Sequence, residues 1–122
     1  MLLTLDDLAC TDPLASGAKA AWLARGKQAG LPVLPGVVVP AEYSKSAMAF
    51  GVEVMEKRGS GGARLAISGR PLPESLSDAL VEATVSVSEP MVVRSSSLLE
   101  GGGEWSGAFT SYLEVFHGEV ET

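Results

Sequence analysis

The sequence holds one cysteine, Cys10, and one histidine, His117. A single thiol forms no internal disulfide, and one Cys with one His falls short of a tetrahedral metal cage, so disulfide-stapled and zinc-built folds do not apply. Basic residues are scarce as well: nine Lys and Arg stand against fifteen Asp and Glu, a formal net charge of −6. No Lys/Arg run exceeds a dipeptide, so the positive field that condenses on a phosphate backbone is missing and nucleic acid is not expected as a partner. Aromatic residues make up only 6% of the chain, which leaves Val, Leu and Ala to build the core. No apolar stretch approaches the roughly 18 residues of a membrane-spanning helix. The first seven residues carry acids where a signal peptide carries Lys or Arg, so a reducing, cytoplasmic setting is expected, with no membrane partner.

What is present suits one domain at most: 122 residues, 46% hydrophobic, with no repeat, heptad or low-complexity tract. Ser16 or Asp12 can cap a helix that runs to about Ala29, and Gly30 with Pro32 supplies its stop. Ala20, Trp22, Leu23 and Ala24 lie on one narrow arc of that helix. The run Val37–Val39 predicts a strand covered on both faces. Pro40 opens a second helix to about Lys57, with Tyr43, Ala47, Phe50 and Val54 on one buried face. Gly59, Ser60, Gly61 and Gly62 predict a flexible break. A third helix from about Pro73 to Val85 aligns Leu76, Leu80, Ala83 and Val87. Met91 to Ser95 and Ser111 to Phe116 read as strands around a glycine-rich loop, Glu100 to Gly107. The order predicts an α+β (mixed α/β) domain, a small sheet packed with about three helices.

Two basic residues stand out. With Ser16 as the cap, Lys19 lies in the first helical turn, where free amides and the macrodipole already place positive potential. A cation there is unfavourable by roughly 0.3–1 kcal/mol unless an anion shares the site, and helix N-termini bind anions. The plainer reading is a solvated lysine, or a helix that starts at Pro13 and carries Lys19 in its middle. Arg94 follows directly on the apolar Met91–Val93, and its planar fork suits phosphate or carboxylate, with the hydroxyls of Ser95, Ser96 and Ser97 beside it. A structural ion pair with Glu100 or Glu104 would account for it equally. The glycines at 101–103 and Gly107 allow a backbone to approach a ligand closely or simply make a hairpin loop. They form no Walker motif, and Ser106 stands where a dinucleotide fingerprint needs its third glycine. No Gly-x-Ser-x-Gly elbow is present, so His117 reads as a surface residue and hydrolase chemistry is discounted. Glu100 and Glu104, four apart in a loop, read as solvated carboxylates.

These features also fall into a known order. Ser16-Gly17-Ala18-Lys19-Ala20-Ala21-Trp22-Leu23-Ala24, then Ala29-Gly30-Leu31-Pro32-Val33-Leu34-Pro35-Gly36-Val37-Val38-Val39, resembles the opening of the pyruvate phosphate dikinase and phosphoenolpyruvate synthase family. Val92-Val93-Arg94-Ser95-Ser96-Ser97 with Glu100 is similar to that family's Val-Arg-Ser-Ser-Ala stretch. Trp105-Ser106-Gly107-Ala108-Phe109 occupies the place of its Phe-Ala-Gly-Gln. The four landmarks span nearly the whole chain.

The resemblance implies the N-terminal lobe of an ATP-grasp domain, which in that family passes a phosphoryl group from ATP to a histidine on a separate swivelling domain. The eventual acceptor is pyruvate or a related small molecule. By the same resemblance Lys19 and Arg94 contact ATP phosphates, Gly107 lies in the covering loop, and Ser111 replaces a nearby threonine. The magnesium ligands belong to a second ATP-grasp lobe that residues 1–122 do not include, and the phosphorylated histidine belongs to a further domain, so His117 is not that residue. The expectation is therefore a single partial domain, inactive by itself, whose partners are nucleotide, the second lobe and the phosphohistidine domain. A face bared by the missing lobe would favour self-association. Gly17-Ala18 in place of two glycines and Ala108 in place of glutamine depart from the family pattern. They point to the alternative, a non-catalytic interaction module that kept the fold.

Overall fold

The computed structural model describes residues 2–97 and 111–119. It shows a mixed α+β architecture, with two small antiparallel sheets and several helices. Strand β1 (Leu3–Thr4) pairs with β2 (Val37–Val38), Leu3 opposite Val38 and Thr4 opposite Val37. Between them run a single 3-10 turn (Leu8–Thr11), a one-turn helix α1 (Pro13–Ser16) and helix α2 (Ala18–Gln28).

The first helix of the sequence reading is thus two helices. Asp12 caps α1, its carboxylate accepting from the Leu14 amide at 3.0 Å with Pro13 in the first position. Gly17 then breaks the helix at φ 83°, ψ 164°, a conformation that side-chain-bearing residues avoid, and α2 restarts at Ala18. Ser16 is no cap for α2. Its buried hydroxyl donates to the Cys10 carbonyl at 2.6 Å.

The main core gathers Leu5, Cys10, Ala20 and Ala24, with Leu3, Leu23, Val33 and Val38 packed against it. Ala20, Leu23 and Ala24 therefore face inward as expected, but Trp22 does not. Its indole is 68% exposed, with the Arg25 guanidinium 5.4 Å above the ring. Lys27 bonds Asp6 at 2.7 Å, and the Gln28 amide donates to the Leu5 and Asp7 carbonyls, both at 3.0 Å. These contacts hold α2 against the amino-terminal segment.

Helix α3 (Glu42–Gly69) contains the expected second helix, which is interrupted where the break was expected, at Gly59 with φ 76° and ψ 179°; the departure is that helix resumes beyond it. A straight helix would separate Gly51 from Ile67 by about 24 Å. Instead the Ile67 side chain covers Gly51, where a β-carbon would collide with it, and the Arg70 guanidinium lies 5.0 Å over the Phe50 ring. The chain reverses at Gly59, and two helical arms pack as a hairpin. Tyr43, Phe50 and Val54 are half-buried along the first arm.

Helix α4 (Glu74–Thr84) follows its predicted span, with Leu76 buried and Leu80, Ala83 and Val87 half-buried. Strand β3 (Met91–Arg94) pairs antiparallel with β4 (Ser111–Val115): Met91 opposite Val115, Val93 opposite Tyr112 and Arg94 opposite Ser111. β4 carries one extra residue between Tyr112 and Val115, a bulge in which Glu114 adopts φ 54°. Among the described residues the expected cover on both faces of Val37–Val39 is not found. Val37 and Val38 are half-buried in a two-residue strand, and Val39, Val92 and Val93 are exposed. No helix among the described residues is long and apolar enough to cross a membrane.

Candidate functional site

The segment after β3 docks on the start of α2. The Ala18 amide donates to the Ser97 carbonyl at 3.0 Å and the Ala20 amide donates to the Ser96 hydroxyl at 2.9 Å. Gly17 makes this approach possible, because a β-carbon there would overlap the Ser96 backbone. Residues almost eighty positions apart thereby share one locus. Lys19 lies in the first turn of α2, Arg94 ends β3 two residues before Ser96, and Ser111 stands opposite Arg94 in the strand register. Lys19 is half-buried and Arg94 exposed. The Ser97 hydroxyl is buried with no hydrogen-bond partner among the described residues.

Free amides at this helix start would give it anion-binding capacity. Two of them, those of Ala18 and Ala20, already bond the protein's own serines. Any anion held here is gripped by side chains rather than by those donors. Gly107 and the acids Glu100 and Glu104 lie outside the described residues, so the ion pair weighed for Arg94 lies there too. Two shallow grooves of about 610 and 220 Å³ lie on the α3 hairpin, lined in part by Arg64 and Ile67 and by Phe50 and Lys57. Neither includes Lys19 or Arg94.

Two further arrangements escaped the sequence reading. Cys10 is fully buried, and burial pushes its thiol up from the ordinary range, against the opposing hydrogen bond with Ser16. His117, in a 3-10 turn (His117–Glu119) after β4, bonds on both ring nitrogens. Nδ1 lies 3.0 Å from the Glu89 carboxylate and Nε2 lies 2.7 Å from the Val87 carbonyl, while the His117 amide donates to the same carboxylate at 2.6 Å. A lone histidine gives no sequence signal for such a clasp, since its partners are set by the β3–β4 pairing. Among the described residues no group of three or more His, Cys, Asp or Glu converges as a metal cage.

No family model, curated protein or solved structure matches the chain.

Proposed function

We propose that the chain is the nucleotide-holding N-terminal lobe of an ATP-grasp domain of the dikinase type, part of a phosphotransferase that moves phosphoryl from ATP to a histidine on another domain. The observation that carries this reading is the pair of hydrogen bonds from Ala18 and Ala20 to Ser97 and Ser96, which unites the Lys19 and Arg94 segments. Lys19, Arg94 and the buried Ser97 hydroxyl, which has no partner among the described residues, fit a phosphate-bearing ligand; the occupied amides of Ala18 and Ala20 do not add to it. ATP supplies the phosphoryl group, and magnesium accompanies it on carboxylates of a second lobe. Lys19 and Arg94 would orient the phosphates and offset their charge, the main protein contribution to phosphoryl transfer. Gly107 would lie in the covering loop and Ser111 beside Arg94. The setting is proposed as cytoplasmic, and the lobe alone would not turn over.

Calorimetric titration of Mg-ATP tests the reading. Weak binding that falls at least fivefold in both Lys19→Ala and Arg94→Ala is expected; binding indifferent to both changes rejects it. The occupied amides of Ala18 and Ala20 favour a second reading, an interaction module without nucleotide. Absence of Mg-ATP binding in the folded chain would select it.

A further inference from the structure

The first arm of the α3 hairpin is apolar on two faces, and the second arm covers only one. Phe50, Gly51 and Val54 meet the returning arm, where Ile67 and Arg70 pack. Met48, Val52 and Met55, spaced by four and three residues, form a separate stripe on the same arm, exposed by 62, 48 and 48%. Two apolar stripes on one helix call for two partners, and the hairpin packs mainly on itself. Methionines at both ends of the stripe give it an adaptable surface.

We propose that this stripe is where a second copy of the chain docks, through an antiparallel pairing of the two first arms about a two-fold axis near Val52. The proposal does not depend on the nucleotide reading. Charge favours a second copy over another occupant. Lys45 and Glu56 are both exposed and flank the stripe on the same side, about three helical turns apart. An antiparallel two-fold brings like flanks together, so Lys45 of each copy stands opposite Glu56 of the other, and the charges match twice. A two-fold contact also closes on itself, which gives a dimer rather than a growing chain.

Sedimentation velocity of the whole chain across a concentration series, with circular dichroism as a check on folding, tests this. The expected result is a reversible dimer. Val52→Glu should weaken it at least tenfold, Lys45→Glu and Glu56→Lys should each weaken it at least threefold, and the Lys45→Glu/Glu56→Lys double variant should recover to within twofold of the parent. A chain that stays monomeric at submillimolar concentration overturns the proposal and assigns the stripe to a different occupant. A dimer insensitive to Val52→Glu, or a double variant no better than the singles, overturns it as well. If Val52→Glu fails to fold, the three charge variants decide, since their side chains are in solvent.

Discussion

The hydroxyl of Ser96 accepts a hydrogen bond from the Ala20 amide at 2.9 Å, so the start of α2 is capped by a residue 76 positions away. Local N-caps come from the residue preceding the helix; here Gly17 occupies that place and offers no side chain. Removing a capping hydroxyl destabilises by about 0.5–2 kcal/mol. Ser96→Ala is expected to lie near 1 kcal/mol in urea unfolding, with no change in the slope of the transition. A loss below about 0.3 kcal/mol would mean that the docking is held by the Ser97 carbonyl alone.

Gly17 should be the less tolerant partner. Its φ of 83° is strained for any side chain, and a β-carbon would overlap the Ser96 backbone, which has no flexible end to move aside. Backbone strain of this kind amounts to about 1–3 kcal/mol before the collision is counted. Gly17→Ala is therefore expected to destabilise more than Ser96→Ala. It should also free the amides of Ala18 and Ala20, visible as faster hydrogen exchange at those two positions while Ala24 stays protected. Unchanged exchange at Ala18 and Ala20 would contradict the docked geometry.

How far the sequence foretold this arrangement differs from residue to residue. The stop at Gly30 and Pro32, the α4 span and the positions of β3 and β4 follow from local chemistry and periodicity, and the structure has them. Gly17 appeared only as a departure from a family pattern, because its role depends on a backbone that arrives from position 96. The glycines at 61 and 62 read as loop, yet helix continues there: Ala66 and Ile67 pack against the first arm, which outweighs weak propensity. The run Val37–Val39 implies cover on both faces, yet Val37 and Val38 are only half-buried and Val39 is exposed among the described residues. At the candidate site, Lys19 and Arg94 are legible as oddities of charge; the docking of Ser96 and Ser97 on the start of α2 is not, since no local rule couples a helix start to a distant strand end.

Cys10 gives the chain a calculable response to alkali. Its thiol is raised above the ordinary value of 9.0 chiefly by burial, so the folded state resists ionisation more than the unfolded chain does. The stabilising contribution is full below pH 9.0 and is lost as pH rises from there through the folded value. The parent should lose stability over that interval relative to Cys10→Ala, which has no thiol to ionise. Equal alkaline slopes for the two proteins in denaturant titrations at stepped pH would show that the thiol ionises without opening the core.

The clasp at His117 ties the turn after β4 to the segment between α4 and β3. Glu89 serves it twice, accepting from the His117 amide at 2.6 Å and facing Nδ1 at 3.0 Å. Both side chains are more than a third exposed, so solvent screens the ionic part and the backbone hydrogen bond carries most of the effect. Glu89→Ala should destabilise by about 1 kcal/mol, and Glu89→Gln, which keeps an acceptor for the amide, by less than half of that. Equal losses in both variants, measured by thermal unfolding at low and high salt, would place the effect in charge rather than in the amide bond.

Gly59 decides whether α3 is a hairpin or a rod. Its φ of 76° with ψ 179° is a region open essentially to glycine, and no neighbouring atom lies within 4 Å of where a β-carbon would stand. A substitution there is opposed by backbone strain alone, about 1–3 kcal/mol, while helical dihedrals at the same position are comfortable for alanine. Gly59→Ala therefore tilts the balance toward one continuous helix, at the expense of the Ile67–Gly51 and Arg70–Phe50 contacts. Spin labels on the exposed Glu53 and Gly69 report the choice directly. They should be close in the parent and move toward the roughly 24 Å of a straight helix in the variant. If the distance does not change, packing between the arms outweighs the strain, and Gly59→Ala should instead appear as a loss of thermal stability with the hairpin intact.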